Sequence, residues 1–248
     1  MPVPIPRRPP RLRERLPLLL AAALGLALAA PPPAHAHQLH FRHADGVWRL
    51  VRGHPGTDEA APLRDAVAVR LWIATPDTLL PLGAVSPDSA VVPDDRLPAA
   101  AVGLAAAVDW GVWTKTPDGA VHAPPDAVAD PLESWRSRET VLQLLGPRPL
   151  PPLLGRGLEI RPLTPPERWR TGHKIRVRVT GDGRPAAGVP VAYDERVRGA
   201  TGGDGALNIR LRRSGWQVIA ASRRRPPDRR GVADLETATL VFPLEVKP

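Results

Sequence analysis

Proline is the residue type that most limits how this chain can fold. The sequence of 248 residues contains 33 prolines, spread over its whole length. Proline lacks a backbone N–H and clashes with the preceding helical turn, so this density opposes long α-helices. The chain has no cysteine, which excludes disulfides, thiolate metal sites and cysteine nucleophiles. We therefore expect a mainly β fold that is stabilised by its own hydrophobic core.

Several segments have the pattern of β-strands. Lys174–Thr180 alternates strictly between apolar and polar residues, as a half-buried strand does. Ala66–Ile73 is rich in β-branched residues and is also expected to be a strand. Ala100–Trp113 fits a helix or a strand by periodicity alone. Its Val and Trp residues and the flanking turns favour the strand.

One segment, residues 131–145, has the features of a short helix. Asp130 can cap its first turn, and Pro131 suits the first helical position. Gly146 and Pro147 follow directly and would end it. We therefore predict one short helix in this otherwise β-rich chain.

The sequence divides into a predicted signal peptide, residues 1–36, and two predicted domains. A β-rich N-terminal domain is expected over residues 37–146, and a proline-rich linker over 147–156. Residues 157–248 contain six or seven short strand patterns separated by turns. That spacing is typical of an antiparallel β-sandwich of the immunoglobulin-like type.

The N-terminal residues have the composition of a cleavable secretory signal. Arginines from Arg7 to Arg15 precede the apolar run Leu16–Ala30, and three prolines then lead to Ala34-His35-Ala36. The apolar run is shorter than the roughly twenty residues of a membrane-spanning helix, although an uncleaved anchor is the alternative. We predict cleavage after Ala36 and a periplasmic or secreted protein that starts at His37.

The charge of the chain does not indicate a nucleic-acid-binding protein. The formal net charge is +9, but the predicted signal holds five of the arginines and a single glutamate. Nucleic-acid binding would also need a basic face with aromatic platforms, and export argues against it. A weak peripheral contact with an anionic membrane surface is the most that this charge predicts.

Two segments resemble a known bacterial family. GLEIRPLTPPERWRTGHKIRVRVTGDGRPAAGVPVAY, starting at Gly157, and VDWGVWTKTPDG, starting at Val108, are similar to the DUF4198 family of bacterial periplasmic proteins. That family is related to accessory proteins of nickel and cobalt uptake of the NikM type. The first segment matches through Leu158, Glu159, Ile160, Pro162, Leu163, Gly172, Gly183, Pro185, Gly188 and Val191. The second matches through Asp109, Gly111, Trp113, Thr114, Lys115, Thr116, Asp118 and Gly119.

The resemblance implies a periplasmic location, a β-sandwich and a link to transition-metal handling. It also makes Asp109, Trp110 and Trp113 candidates for lining a ligand cleft. The alternative is that Asp109 caps a turn and that the two tryptophans pack in the core.

The candidate metal ligands are histidines. Cleavage after Ala36 would give His37 a free α-amino group, and this amine and the imidazole Nδ1 can chelate one metal ion. Such nitrogen ligands suit Ni(II), Co(II), Cu(II) and Zn(II). We therefore expect a divalent transition metal, nickel or cobalt, with copper or zinc as alternatives.

A further ligand would come from His122, His40 or His54. His37 and His40 would point to opposite faces of an extended strand, since their spacing is odd. A ligand from a distant loop is therefore preferred, and His122 follows the segment around Trp113 that matches the family. The alternative is that these histidines are simply solvated.

The functional prediction is a binding protein and not an enzyme. The sequence contains no G-x-S-x-G, H-E-x-x-H or phosphate-binding P-loop motif. The leading hypothesis is a periplasmic accessory of nickel or cobalt uptake whose partners are the metal ion and a membrane importer component. The alternatives are a β-sandwich interaction module of the cell envelope that binds no metal, and a copper-dependent redox enzyme.

Overall fold

The structure is a computed structural model that describes residues 38–57, 60–146 and 148–245. The predicted signal peptide at 1–36 and the candidate ligand His37 lie outside the described residues. No helix within the described ranges is long and apolar enough to cross a membrane.

The described residues form β-strands and short 3-10 turns. In chain order the strands are β1 (Gln38–Ala44), β2 (Val47–Gly53), β3 (Ala60–Ala61), β4 (Ala68–Ala74), β5 (Leu79–Val85), β6 (Val91–Pro93), β7 (Gly103–Thr116), β8 (Gly119–Val121), β9 (Glu133–Leu144), β10 (Leu158–Pro162), β11 (Lys174–Gly181), β12 (Arg184–Pro185), β13 (Pro190–Tyr193), β14 (Arg196–Ala200), β15 (Ala206–Arg210), β16 (Gly215–Arg225) and β17 (Val232–Leu244). The 3-10 turns are Pro87–Ser89, Asp94–Arg96, Pro125–Ala127 and Pro166–Arg168. The predicted mainly β fold class is confirmed.

The first hydrophobic core lies under the N-terminal sheet, which consists of β1, β2, β3 and β6. Alternate side chains of these strands face alternate side chains of β4, β7 and β9. Leu39 and Phe41 of β1 meet Leu71 of β4 and Leu104 of β7 in this N-terminal core. The strand patterns predicted around β4 and β7 are confirmed, because their apolar residues fill this core.

The second hydrophobic core lies under the C-terminal sheet, which consists of β10, β11, β12 and β15. Ile175, Val177 and Val179 of β11 are fully buried in it. They pack against β13, β16 and β17, including Phe242 of β17. Two facing layers of antiparallel pairs thus form the sandwich that the spacing of strand patterns in residues 157–248 predicts.

A shared sheet of nine strands joins the two cores. Its order is β14-β13-β16-β17-β9-β7-β4-β5, with β8 paired to β7, and the β17–β9 pair is parallel. Val141 of β9 and Val241 of β17 belong to the N-terminal core, whereas Leu144 and Phe242 belong to the C-terminal core. Neighbouring residues of a strand point to opposite faces, so the two cores lie on opposite faces of this sheet. The predicted linker at 147–156 lies between β9 of this shared sheet and β10 of the C-terminal sheet.

The helix predicted at 131–145 is wrong, since this segment contains β9. Asp130 adopts a left-handed conformation with φ 49° before the strand and does not cap a helix. β9 pairs with β7 on one side and with β17 on the other. Its side chains are divided between two cores on opposite faces. A strand achieves this because its successive side chains point to opposite sides. The helix-capping residues before β9 therefore did not determine its structure, because burial of both faces of the segment favours a strand.

Candidate metal site at the start of the first strand

The hairpin of β1 and β2 fixes the position of the first described residue. Asp45 and Gly46 form its turn with φ values of 51° and 72°. Asp-Gly is favoured in such a turn because both central residues need positive φ. The strands pair from Ala44 opposite Val47 to Gln38 opposite Gly53. His54 therefore follows β2 at the same end of the hairpin at which β1 begins.

Gln143 of β9 holds β1 against the shared sheet. Its side-chain Oε1 accepts the Phe41 N–H at 2.7 Å, and its Nε2 donates to the Phe41 carbonyl at 2.9 Å. The Gln143 side chain is 1% exposed. The buried Gln143 amide thus hydrogen-bonds both backbone polar groups of Phe41. These two bonds fix the distance between β1 and the shared sheet.

His40 lies on the face of β1 opposite Leu39 and Phe41, and it is nevertheless buried. Its Nδ1 is 3.3 Å from the Gln38 carbonyl oxygen. Burial lowers the pKa of His40 below its ordinary value, against the Gln38 hydrogen bond, and the charges of His54 and Arg42 lower it further. A neutral imidazole is the form that can donate a lone pair to a metal.

His54 is oriented by an acidic residue from the other half of the chain. Its Nδ1 lies 2.7 Å from Oε1 of Glu195. Glu195 is in the tight turn between β13 and β14, where Asp194 and Glu195 have φ values of 48° and 62°. A carboxylate on one ring nitrogen fixes the tautomer, as is common behind metal-ligating histidines. Sequence reasoning did not identify Glu195, because nothing local marks it.

His122 lies in a different setting. Its ring stacks on Trp113 with centroids 4.8 Å apart and an interplanar angle of 11°. It also covers Gly111, where an added Cβ would lie 2.7 Å from His122 Nε2. These contacts are to an indole and a glycine, and the stack accounts for the placement of this ring. The contacts of His122 are thus with Trp113 and Gly111.

The three residues of the predicted ligand cleft have separate contacts. Asp109 pairs with Arg136 and accepts the Gly111 N–H at 2.9 Å, where β7 has a bulge. The hydrogen bonds and charge of Arg136 lower the pKa of Asp109 against the effect of burial. Trp110 is buried in the N-terminal core. Trp113 donates its indole N–H to the Trp110 carbonyl at 3.1 Å. Each of these three side chains thus contacts other residues of the fold.

Within residues 38–57, 60–146 and 148–245, no group of three histidine, aspartate or glutamate side chains is arranged to hold a metal ion. His40 lies in β1, and His54 follows β2 at the end of the hairpin at which β1 begins. His37, the residue that the sequence ranks first, lies outside the described residues. The donor set present at this end of the hairpin suits imidazole-preferring metals.

The geometry defines a class of protein: an all-β protein in which two sandwich cores share one sheet, with one histidine in the first strand and another directly after the second. The chain belongs to the DUF4198 family, described as a domain of unknown function, whose family model matches residues 42–225. This match includes His54 and His122 and begins after His40. No curated protein matches the sequence.

A comparison of structures gives a distant similarity. The fibronectin(III)-like modules of Clostridium thermocellum CbhA match with 13% sequence identity, over 85% of this chain and 98% of that chain, at a TM-score of 0.21. A TM-score this low supports no inference about this protein.

Proposed function

We propose that this protein is an exported β-sandwich protein of the cell envelope that binds nickel or cobalt as cargo for a membrane importer. The proposed ligands are the α-amino group and imidazole of His37, freed by cleavage after Ala36, together with the imidazole of His54. His40 supplies a further donor at the same end of the hairpin. The protein acts by binding and not by catalysis.

The observation that carries this proposal is the pairing of Gln38 with Gly53. His37 is bonded to the first of these residues and His54 to the second. Consecutive Cα atoms lie about 3.8 Å apart, which supports His54 as the partner of the proposed chelate. This argument replaces the preference for His122, which stacks on Trp113.

The contact between Glu195 and His54 supports the same site. A carboxylate that accepts the Nδ1 proton leaves Nε2 as the ligating atom and raises its basicity. Removing such a partner typically weakens metal binding by about 10- to 100-fold. Glu195 therefore offers a test that leaves every proposed ligand in place.

Calorimetry with Ni(II) and Co(II) on protein correctly processed to begin at His37 tests the proposal. Binding should weaken by about tenfold or more in His54→Ala and by about tenfold in Glu195→Gln. His122→Ala is the matched control and should bind as the parent protein does. An added N-terminal Gly-Ser should abolish the chelate, because it removes the α-amino group from His37.

Two outcomes contradict the proposal. Binding that survives the Gly-Ser extension would remove the role of the N-terminus, and a loss in His122→Ala equal to that in His54→Ala would move the site. A processed protein that binds neither metal would favour the second function, a β-sandwich interaction module that binds no metal.

A further inference from the structure

The proline-rich segment after β9 forms one wall of a cleft on the C-terminal sheet. The cleft has a volume of about 790 Å³, within the range of pockets that hold small molecules. Its apolar lining includes Pro149, Leu150, Leu153, Pro162 and Leu163. The other lining residues include arginines of β10 and β11.

These arginines are Arg161 of β10 and Arg178 of β11, and they lie directly opposite each other on adjacent antiparallel strands. Residues paired in this way have Cβ atoms about 4.5–5.5 Å apart, and like charges there destabilise the sheet. Both side chains point away from the core, because their neighbours Ile160, Val177 and Val179 point into it. The fold therefore places these two arginine side chains on one outer face of the sheet, where both line the cleft.

Neither guanidinium is neutralised by the described part of the chain. No carboxylate in residues 38–57, 60–146 or 148–245 forms an ion pair with Arg161 or Arg178. Glu167 also lines the cleft, but it is exposed and forms no ion pair with them. Arg176, two residues before Arg178 on the same face of β11, pairs with Asp204 at 2.7 Å. Arg178 thus differs from Arg176, which is on the same face of the same strand and has a carboxylate partner.

Buried polar atoms in the cleft also lack partners. Thr180 is 5% exposed, and its Oγ1 has no hydrogen-bond partner in the described residues, nor does the buried Nε of Arg178. Such atoms are nearly always hydrogen-bonded in folded proteins, so each needs an explanation. A third arginine, Arg148, donates to the carbonyls of Ala99 and Ala101 at 3.2 and 3.1 Å. It thereby fixes the wall of the cleft.

We propose that this cleft binds a small molecule with an anionic head, a carboxylate or phosphate, on an apolar body. The anion lies between Arg161 and Arg178 and accepts a hydrogen bond from the Thr180 hydroxyl. The apolar body packs against the proline and leucine wall. Charge-assisted bonds of this kind are stronger than neutral ones, and an anion relieves the repulsion between the paired arginines. This site is independent of the proposed metal site.

Calorimetry with octyl phosphate below its micelle concentration tests this proposal. The full protein should bind octyl phosphate, and inorganic phosphate should bind more weakly because it lacks the apolar body. Arg161→Gln and Arg178→Gln should each weaken binding by about tenfold or more. Arg176→Gln, on the same face and strand, should change affinity less than about twofold.

The folding of each variant is checked by its melting temperature without ligand. Octyl phosphate should raise the melting temperature of the parent protein and of Arg176→Gln, but not that of Arg178→Gln. Equal losses in Arg176→Gln and Arg178→Gln would show a general charge effect and overturn the proposal. Binding of octyl glucoside as tightly as octyl phosphate, or no binding of octyl phosphate, would also overturn it.

Discussion

Glu139 is the side chain whose ionisation depends most on its surroundings. It lies half-buried on β9, close to Trp110, and the Arg52 guanidinium is 4.7 Å from the Trp110 ring centroid. Burial raises the pKa of Glu139 to about 7, although the charge of Arg52 opposes the shift. The sequence did not single out Glu139, since its burial results from packing between distant segments.

The raised pKa predicts a pH dependence of stability. The pKa of Glu139 is 4.5 in an unperturbed chain and about 7 in the folded protein, so between these values the folded state binds the proton more strongly. The contribution is therefore complete below pH 4.5 and is lost as pH rises to 7. Urea unfolding should show that Glu139→Gln gains about 1–3 kcal/mol relative to the parent protein across this window.

An exposed glutamate is the control for that measurement. Glu133 lies on the same strand and pairs with Arg224 at 2.6 Å on the surface. Glu133→Gln should follow the pH profile of the parent protein. If the profiles of Glu139→Gln and the parent protein run parallel from pH 4.5 to 7, Glu139 does not take up a proton on folding.

At the scale of elements, the Gln143 side chain of the shared sheet forms two hydrogen bonds with β1. β1 pairs with β2 within the N-terminal sheet, and its contact with β9 is made by the amide of Gln143. The buried Phe41 side chain of β1 adds packing in the N-terminal core. Both proposed donors His40 and His54 lie on this hairpin or directly after it, so its position determines the geometry of the candidate site.

Gln143→Met tests this attachment, because methionine keeps the shape of glutamine and removes both hydrogen bonds. It leaves the Phe41 N–H and carbonyl unpaired, and the free energy of unfolding should fall by about 2–4 kcal/mol. Hydrogen exchange of the Phe41 amide should accelerate, while that of Leu50, bonded to the Ala90 carbonyl at 2.9 Å, should change less. Asn208→Met, at an exposed position of β15, should cost less than about 0.5 kcal/mol. Equal costs for the two variants would contradict the role of Gln143.

At the scale of the whole molecule, the shared sheet links two hydrophobic cores. β9 and β17 contribute alternate residues to each core, and their parallel pair lies at the centre of the nine-stranded order. The described residues from 38 onward belong to one compact unit. Loss of either core would expose one face of both central strands, so the cores should unfold together.

Truncations in the two cores test this coupling in the full protein. Leu71→Ala in the N-terminal core and Ile175→Ala in the C-terminal core each remove a fully buried side chain and should cost about 2–4 kcal/mol. Both should shift one common thermal transition. Leu80→Ala, at a position that is 40% exposed, is the control and should shift it much less. Two transitions that respond separately would show that the predicted domains at 37–146 and 157–248 are independent.

The sequence by itself determined the elements whose signals are local. Proline density and alternation predict the mainly β class and the strand at Lys174–Thr180, because burial on one face imposes a period of two. The Asp-Gly turn between β1 and β2 is equally local, since positive φ at both positions selects these residues. The sequence also ranked His40 and His54 among the candidate ligands.

Only the tertiary structure decided what depends on distant partners. β9 is a strand because it pairs with β7 and β17 within the shared sheet and a hydrophobic core covers each of its faces, against the capping signals beside it. His54 meets Glu195, and Arg161 faces Arg178, through strand pairings that bring remote segments together. Such contacts depend on which segments pack against each other in the folded chain. The residues of one segment alone do not specify its distant partners.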